Sequence, residues 1–188
     1  MTDAIEQRVI TLFHESIEAK MQTGEGLAPL ICDASQLAVH TLLNENKLLL
    51  CGNGASAALA QIFSAKLINR FEHERPSLPA LTLGTDIATQ SAIATDYSFN
   101  EVYARQIRAL GHPGDLLVVV TASGQPSNLV QAIAAAHERD MAVIALTGGD
   151  GGDVAALLDD TIDIELRVPI HSRVRIQEVH LLTLFTLC

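Results

Sequence analysis

Short apolar runs separated by stretches of helical periodicity set the plan of this chain. Lys47–Cys51, Ala80–Leu83, Leu116–Thr121 and Met141–Leu146 carry almost no polar interruption, the pattern of strands buried on both faces. A further strand is predicted near Ile162–Leu166. Between these runs, apolar residues return every three to four positions. Leu59, Ile62, Phe63, Leu67 and Phe71 predict a helix over Ser56–Glu72. Others are predicted over Asp86–Thr95, Asn100–Leu110, from Pro126 to about Arg139, over Val154–Leu158, and from about Arg173 onward. Upstream of the first strand, Ile5, Val9, Phe13 and Ile17 predict an amphipathic helix over about Asp3–Met21, its narrow stripe suited to a partner subunit or to the parent domain. A second helix is predicted over Leu27–Leu43.

Strands alternating with helices from Lys47 onward predict an α/β domain with a parallel sheet and right-handed crossovers. Ligands in such sheets bind beyond the carboxyl ends of the strands. That rule places Cys51–Ser56, Leu83–Asp86, Thr121–Gln125 and Thr147–Gly149 along one rim. We read residues 1–188 as a single domain, with N-terminal helices over about 1–45 and a βα core over about 46–188. The last helical pattern is still running at Cys188, so the natural chain is expected to continue.

Composition narrows the function classes. Hydrophobic residues make up 48% of the chain and aromatics only 4%, so the core is aliphatic, and mean hydropathy is +0.27. A surface poor in charge implies apolar faces covered by other subunits. The net charge of −10 argues against direct nucleic-acid binding through a basic face. The N-terminus does not read as a signal peptide and no long apolar run suggests a membrane span, so a cytoplasmic protein is expected. Cys32, Cys51 and Cys188 lack metal or redox spacing. Cys32 and Cys51 are expected to be wholly or partly buried small hydrophobes.

The chemistry-bearing stretch is Gly52-Asn53-Gly54-Ala55-Ser56, a glycine turn between a buried strand and a helix N-terminus. Backbone N–H groups and the helix dipole there suit an anion, usually phosphate, although ordinary βα turns share the pattern without a ligand. It is neither a P-loop nor a dinucleotide fingerprint. Thr121-Ala122-Ser123-Gly124-Gln125 is a second strand-to-helix turn with hydroxyls on the same rim. Pro126, near the first helical position, has no N–H to offer an anion. The seven histidines are scattered without zinc spacing, and no Gly-x-Ser-x-Gly elbow occurs. No metal site and no cofactor are predicted.

Cys51–Ser56, Asn69–Glu72 with Arg75-Pro76, Thr121–Gly124, Ala145–Gly148 with Asp150–Gly152, and Arg175–His180 together resemble the sugar isomerase (SIS) domain family. More narrowly, they resemble its branch of phosphoheptose isomerases and DnaA initiator-associating proteins. The resemblance implies a flavodoxin-like three-layer α/β/α sandwich, usually a homotetramer, with phosphosugar sites near subunit interfaces. It also implies a weak or vestigial anion site at Asn53, Gly54, Ser56, Thr121, Ser123 and Gln177. Family isomerases have histidine, glutamate and histidine where this chain has Ile62, Lys66 and Phe185. Those positions supply the base and zinc ligands, so no catalytic residue is assigned. The expectation is therefore a non-catalytic SIS-domain homotetramer that binds the replication initiator DnaA. The alternatives are a phosphoheptose isomerase acting on sedoheptulose 7-phosphate, or a non-catalytic sugar-phosphate sensor.

Overall fold

The computed structural model describes residues 2–188. Its centre is a five-stranded, all-parallel sheet in the order β2-β1-β3-β4-β5. The strands are β1 (Leu48–Gly52), β2 (Ala80–Thr82), β3 (Leu116–Val120), β4 (Ala142–Gly148) and β5 (Ile164–Val168). Register is continuous across the middle, Leu50 facing Val118 and Val118 facing Ile144. β1 and β3 are buried at every position, which is why their sequences read as unbroken apolar runs rather than alternations.

Alternate residues of these strands feed two separate cores. Leu48, Leu50, Leu116, Val118, Ile144 and Leu146 pack with α1 (Thr2–Leu43), α2 (Ala55–Ile68) and α7 (Arg173–Thr186) on one face. Leu49, Cys51, Leu117, Val119, Val143 and Ala145 pack with α4 (Ala104–Leu110), α5 (Ser127–His137) and the short α6 (Gly152–Ala155) on the other. The result is the expected three-layer α/β/α sandwich. α3 (Ile87–Asp96), capped by Asp86, and a 3-10 turn at Phe99–Glu101 lead into α4. The single helix predicted over Asn100–Leu110 is thus two pieces.

The N-terminal helices differ from expectation. Instead of two, one 42-residue helix runs through Gly24, Gly26 and Pro29. Pro29 removes one backbone hydrogen bond, but the segment around it is held in place because Leu27, Ala34 and Ala38 are buried in the core shared with α7. Residues 3–15 have no such support, and Ile5, Val9, Phe13, Ile17 and Met21 are all exposed, although Ala19 is buried. By length and apolarity alone α1 reaches membrane-spanning dimensions; its second half is instead folded onto the sheet layer. Cys51 is buried as expected, whereas Cys32, on the outer side of α1, is exposed.

At the amino ends of the strands two buried carboxylates fasten the layers. Asp115 accepts from Lys47 Nζ (2.5 Å), Lys47 N (2.9 Å) and His112 N (2.8 Å). Asp163 accepts from Val143 N (2.8 Å) and Asp159 N (2.9 Å) and meets His137 Nε2 at 2.8 Å.

Candidate functional site

The carboxyl rim is built from three glycine turns. After β1, the chain reverses at Gly54 (φ +56), which is the N-cap of α2 and offers no side-chain cap. A left-handed φ favours glycine here, and the uncapped helix end keeps its partial positive charge. Gly52 is required for a different reason: a Cβ on it would lie 2.8 Å from the Val120 carbonyl and 2.9 Å from Ser56 backbone. Ser56 is buried in the first turn of α2.

The β1–α2 turn is fixed by partners remote in sequence. Asn53 and Asn128 exchange side-chain amide hydrogen bonds of 2.8 and 2.9 Å. This bridge spans the gap between β1 and β3, where the winding of the sheet reverses. The Tyr103 hydroxyl donates to the Gly52 carbonyl. Burial pushes the Tyr103 phenol up to about 12, so it stays a donor. Burial also pushes the Cys51 thiol up, which removes it as a nucleophile at neutral pH.

In the β3–α5 turn, the buried Thr121 hydroxyl accepts from Gly124 N (3.1 Å) and Ser123 N (3.4 Å). Ser123 Oγ accepts from Gln125 N (3.5 Å). Pro126 is the N-cap of α5 and contributes no cap bond. Gly124 (φ +65) touches the β4–α6 turn so closely that a Cβ would sit 1.8 Å from the Gly151 carbonyl. The Gly124 carbonyl accepts from Val154 N (3.0 Å).

Between the β3–α5 turn, the end of β4 and the start of α7 lies a cleft of about 300 Å³. Ser123, Gln125, Gly149, Asp150, His171 and Arg173 line it. Arg173 makes no ion pair with any described carboxylate, so its charge is free for an anion. Below the cleft, His180 is fully buried and hydrogen-bonds the Thr147 carbonyl through Nε2 (2.9 Å), while its Nδ1 has no partner. Burial pushes its imidazole down to about 4, so it is neutral and ties α7 to β4.

Of the residues expected from sequence, only Ser123 lines this cleft. Thr121 lies beneath it as the internal acceptor of the turn, and Asn53, Gly54 and Ser56 belong to the neighbouring turn. Gln177 is half-buried one helical turn beyond Arg173. Sequence reasoning missed Asn128, Tyr103, His171 and Arg173. The Ser172 N-cap signal opening α7 beside two basic residues was the available hint for the last pair.

The positions held by base and zinc ligands in family isomerases are structural here. Ile62 is partly exposed on α2. Phe185 stacks on Phe71, centroids 5.7 Å apart. Lys66 uses its carbonyl to accept from Arg75 Nη2 (3.0 Å). Ile62 and Phe185 offer no donor and Lys66 brings a cation, so these residues do not fit zinc. Among the described residues no three His, Cys, Asp or Glu side chains form a metal-binding group.

Residues 12–148 match the SIS domain model. A phosphoheptose isomerase of Chromohalobacter salexigens is 55% identical over 97% of this chain and 92% of its own length. The structure of phosphoheptose isomerase from Neisseria gonorrhoeae superposes with a TM-score of 0.91 at 45% identity, covering 98% of this chain and 96% of that one. That of a phosphoheptose isomerase from Francisella tularensis gives 0.93 at 44% identity, over 97% and 95%. These relatives overturn the expectation of a non-catalytic DnaA-binding protein. Near-complete, high-identity similarity is to proteins named as enzymes. The inference from Ile62, Lys66 and Phe185 excluded one arrangement of base and metal, and went too far in leaning against catalysis.

Proposed function

We propose, from the premise that the chain belongs to the SIS domain family, that it is a phosphoheptose isomerase acting on sedoheptulose 7-phosphate in the cytoplasm. The observation that carries this reading is the 55% identity over nearly the whole chain with an enzyme of that name. The rim supports it with groups suited to a sugar phosphate. Arg173 and Ser123 would hold the phosphate, and Gln125 would bond sugar hydroxyls.

Ketose-to-aldose conversion moves a proton from C1 to C2 and shifts a hydroxyl proton between the adjacent oxygens. Of the cleft residues, Asp150 and His171 can take and return such protons. The reading therefore assigns them the acid–base work, in place of the zinc and glutamate arrangement that this chain lacks. The protein would act as an oligomer, since the stripe Ile5, Val9, Phe13 and Ile17 is uncovered in the single chain.

The test is incubation of the purified protein with sedoheptulose 7-phosphate, following formation of the aldose phosphate by chromatography, with and without chelator. Turnover that survives chelation and falls about 100-fold in His171→Asn supports the reading. A sugar phosphate that raises the unfolding temperature but is never converted would overturn it.

A further inference from the structure

Helix α1 carries two unlike surfaces end to end. Ile5, Val9, Phe13 and Ile17 recur at four-residue spacing, forming a ridge of large apolar side chains in which Phe13 is 68% exposed. Lys20 follows three residues later, and Lys20, Gly24, Ala28 and Cys32 continue at the same spacing on the same side of the helix. Gly24, Ala28 and Cys32 are small. Beside them α7 contributes Val179, Leu182, Thr183 and Thr186, which leaves an apolar groove of about 330 Å³ with the buried Leu27 among its walls. Nothing lies within 4 Å of where a Cβ on Gly24 would sit, so the groove is open at its middle.

We propose that a second copy of this chain fills the groove. The two α1 helices run antiparallel about a two-fold axis level with Glu18 and Ala19, and the ridge of each copy lies in the groove of the other. Phe13 then sits against Gly24 and Ala28 of the second copy.

Three observations select this occupant. The lengths match: the ridge from Ile5 to Ile17 and the groove from Lys20 to Cys32 each span the same number of residues, about 18 Å of helix. The shapes match, since large side chains meet small ones. The charges match as well. The ridge is flanked by Asp3, Glu6, Glu15 and Glu18 against Arg8 alone, and Lys20 is the one charged side chain among those lining the groove. An acidic helix is poorly suited to an anionic lipid surface. Antiparallel pairing covers both surfaces of both copies and closes on itself. Parallel pairing would set ridge on ridge and leave both grooves empty. The pairing does not depend on the reaction, so association is read apart from turnover.

The test is sedimentation of the full chain over a range of concentrations. We expect reversible association, with the apparent dissociation constant raised about tenfold or more by Phe13→Asp and by Gly24→Leu. Gly24→Leu enters open space and favours the helix, so a loss of association in that variant does not come from unfolding of α1. In a Cys32→Ser background, Val9→Cys combined with Ala28→Cys is expected to cross-link two copies under mild oxidation, and neither substitution alone should do so. A chain that stays monomeric at every concentration would overturn the proposal, as would association undiminished in both variants or cross-linking by Val9→Cys alone. Binding to phosphatidylcholine vesicles in place of self-association would overturn it too.

Discussion

The two ends of the sheet handle the same backbone groups in opposite ways. At the amino end, buried carboxylates take the loop N–H groups in charge-assisted bonds: Asp163 holds Val143 N and Asp159 N at 2.8 and 2.9 Å. At the carboxyl end, neutral hydroxyls do the work at greater distances, Thr121 Oγ1 lying 3.1 and 3.4 Å from two turn amides. Bonds to ionised acceptors are shorter and about twice as strong as neutral ones. One end is therefore a clamp, and the other keeps its amides available to an incoming anion. A parallel sheet gains a ligand site where the protein leaves its own donors weakly engaged.

The largest effect should come from breaking the clamp. Asp163→Ala strands the buried Val143 N–H, the partly buried Asp159 N–H and a partly buried histidine, and is expected to cost about 3 kcal/mol. Urea unfolding would show it, and a loss below about 1 kcal/mol would mean that water replaces the carboxylate easily.

Next comes a buried histidine beneath the open end. His180 is held near 4, against 6.5 for a free imidazole. Between those values the unfolded chain binds a proton that the folded chain refuses. Stability is therefore whole above about pH 6.5 and declines as pH falls toward 4, by at most about 1.4 kcal/mol per pH unit. His180→Gln should flatten that slope in a series of melts. An unchanged slope would show that other groups set it.

The smallest effect concerns the weak acceptor itself. Thr121→Val keeps the volume and removes the hydroxyl that orients the Ser123 and Gly124 amides. We expect a stability loss of about 1 kcal/mol and a roughly fivefold rise in KM for the sugar phosphate, with kcat little changed. A fall in kcat alone would put Thr121 in the chemistry and not in the turn.

The strands were readable because β1, β3 and β4 lie between two helix layers, and nothing but an apolar run survives there. Helix α1 was misread at Gly24, Gly26 and Pro29. These residues do weaken a helix locally, but Leu27, Ala34 and Ala38 on either side of Pro29 are buried in tertiary contacts that a linear pattern does not contain. The turns of the carboxyl rim were legible at Asn53, Thr121 and Ser123, where glycine punctuation marks a turn. It was illegible at Asn128 and Tyr103, which reach the first turn from 75 and 50 or more residues away. The lean against catalysis, which the relatives named as enzymes contradict, had another cause. Ile62, Lys66 and Phe185 were weighed as three missing parts, whereas identity spread over the whole chain carries more information than three positions.

The uncovered first half of α1 makes helix content a matter of concentration. From Asp3 to Glu15 every residue is exposed, so that stretch of helix rests on local propensity alone, and isolated helices of that length are marginal in water. Whatever population is helical must be set by mass action with something that covers the stripe. Dilution should then lower ellipticity at 222 nm while near-ultraviolet signals from Tyr103 in the core hold steady, so that the molecule reports its own association through the unwinding of one arm.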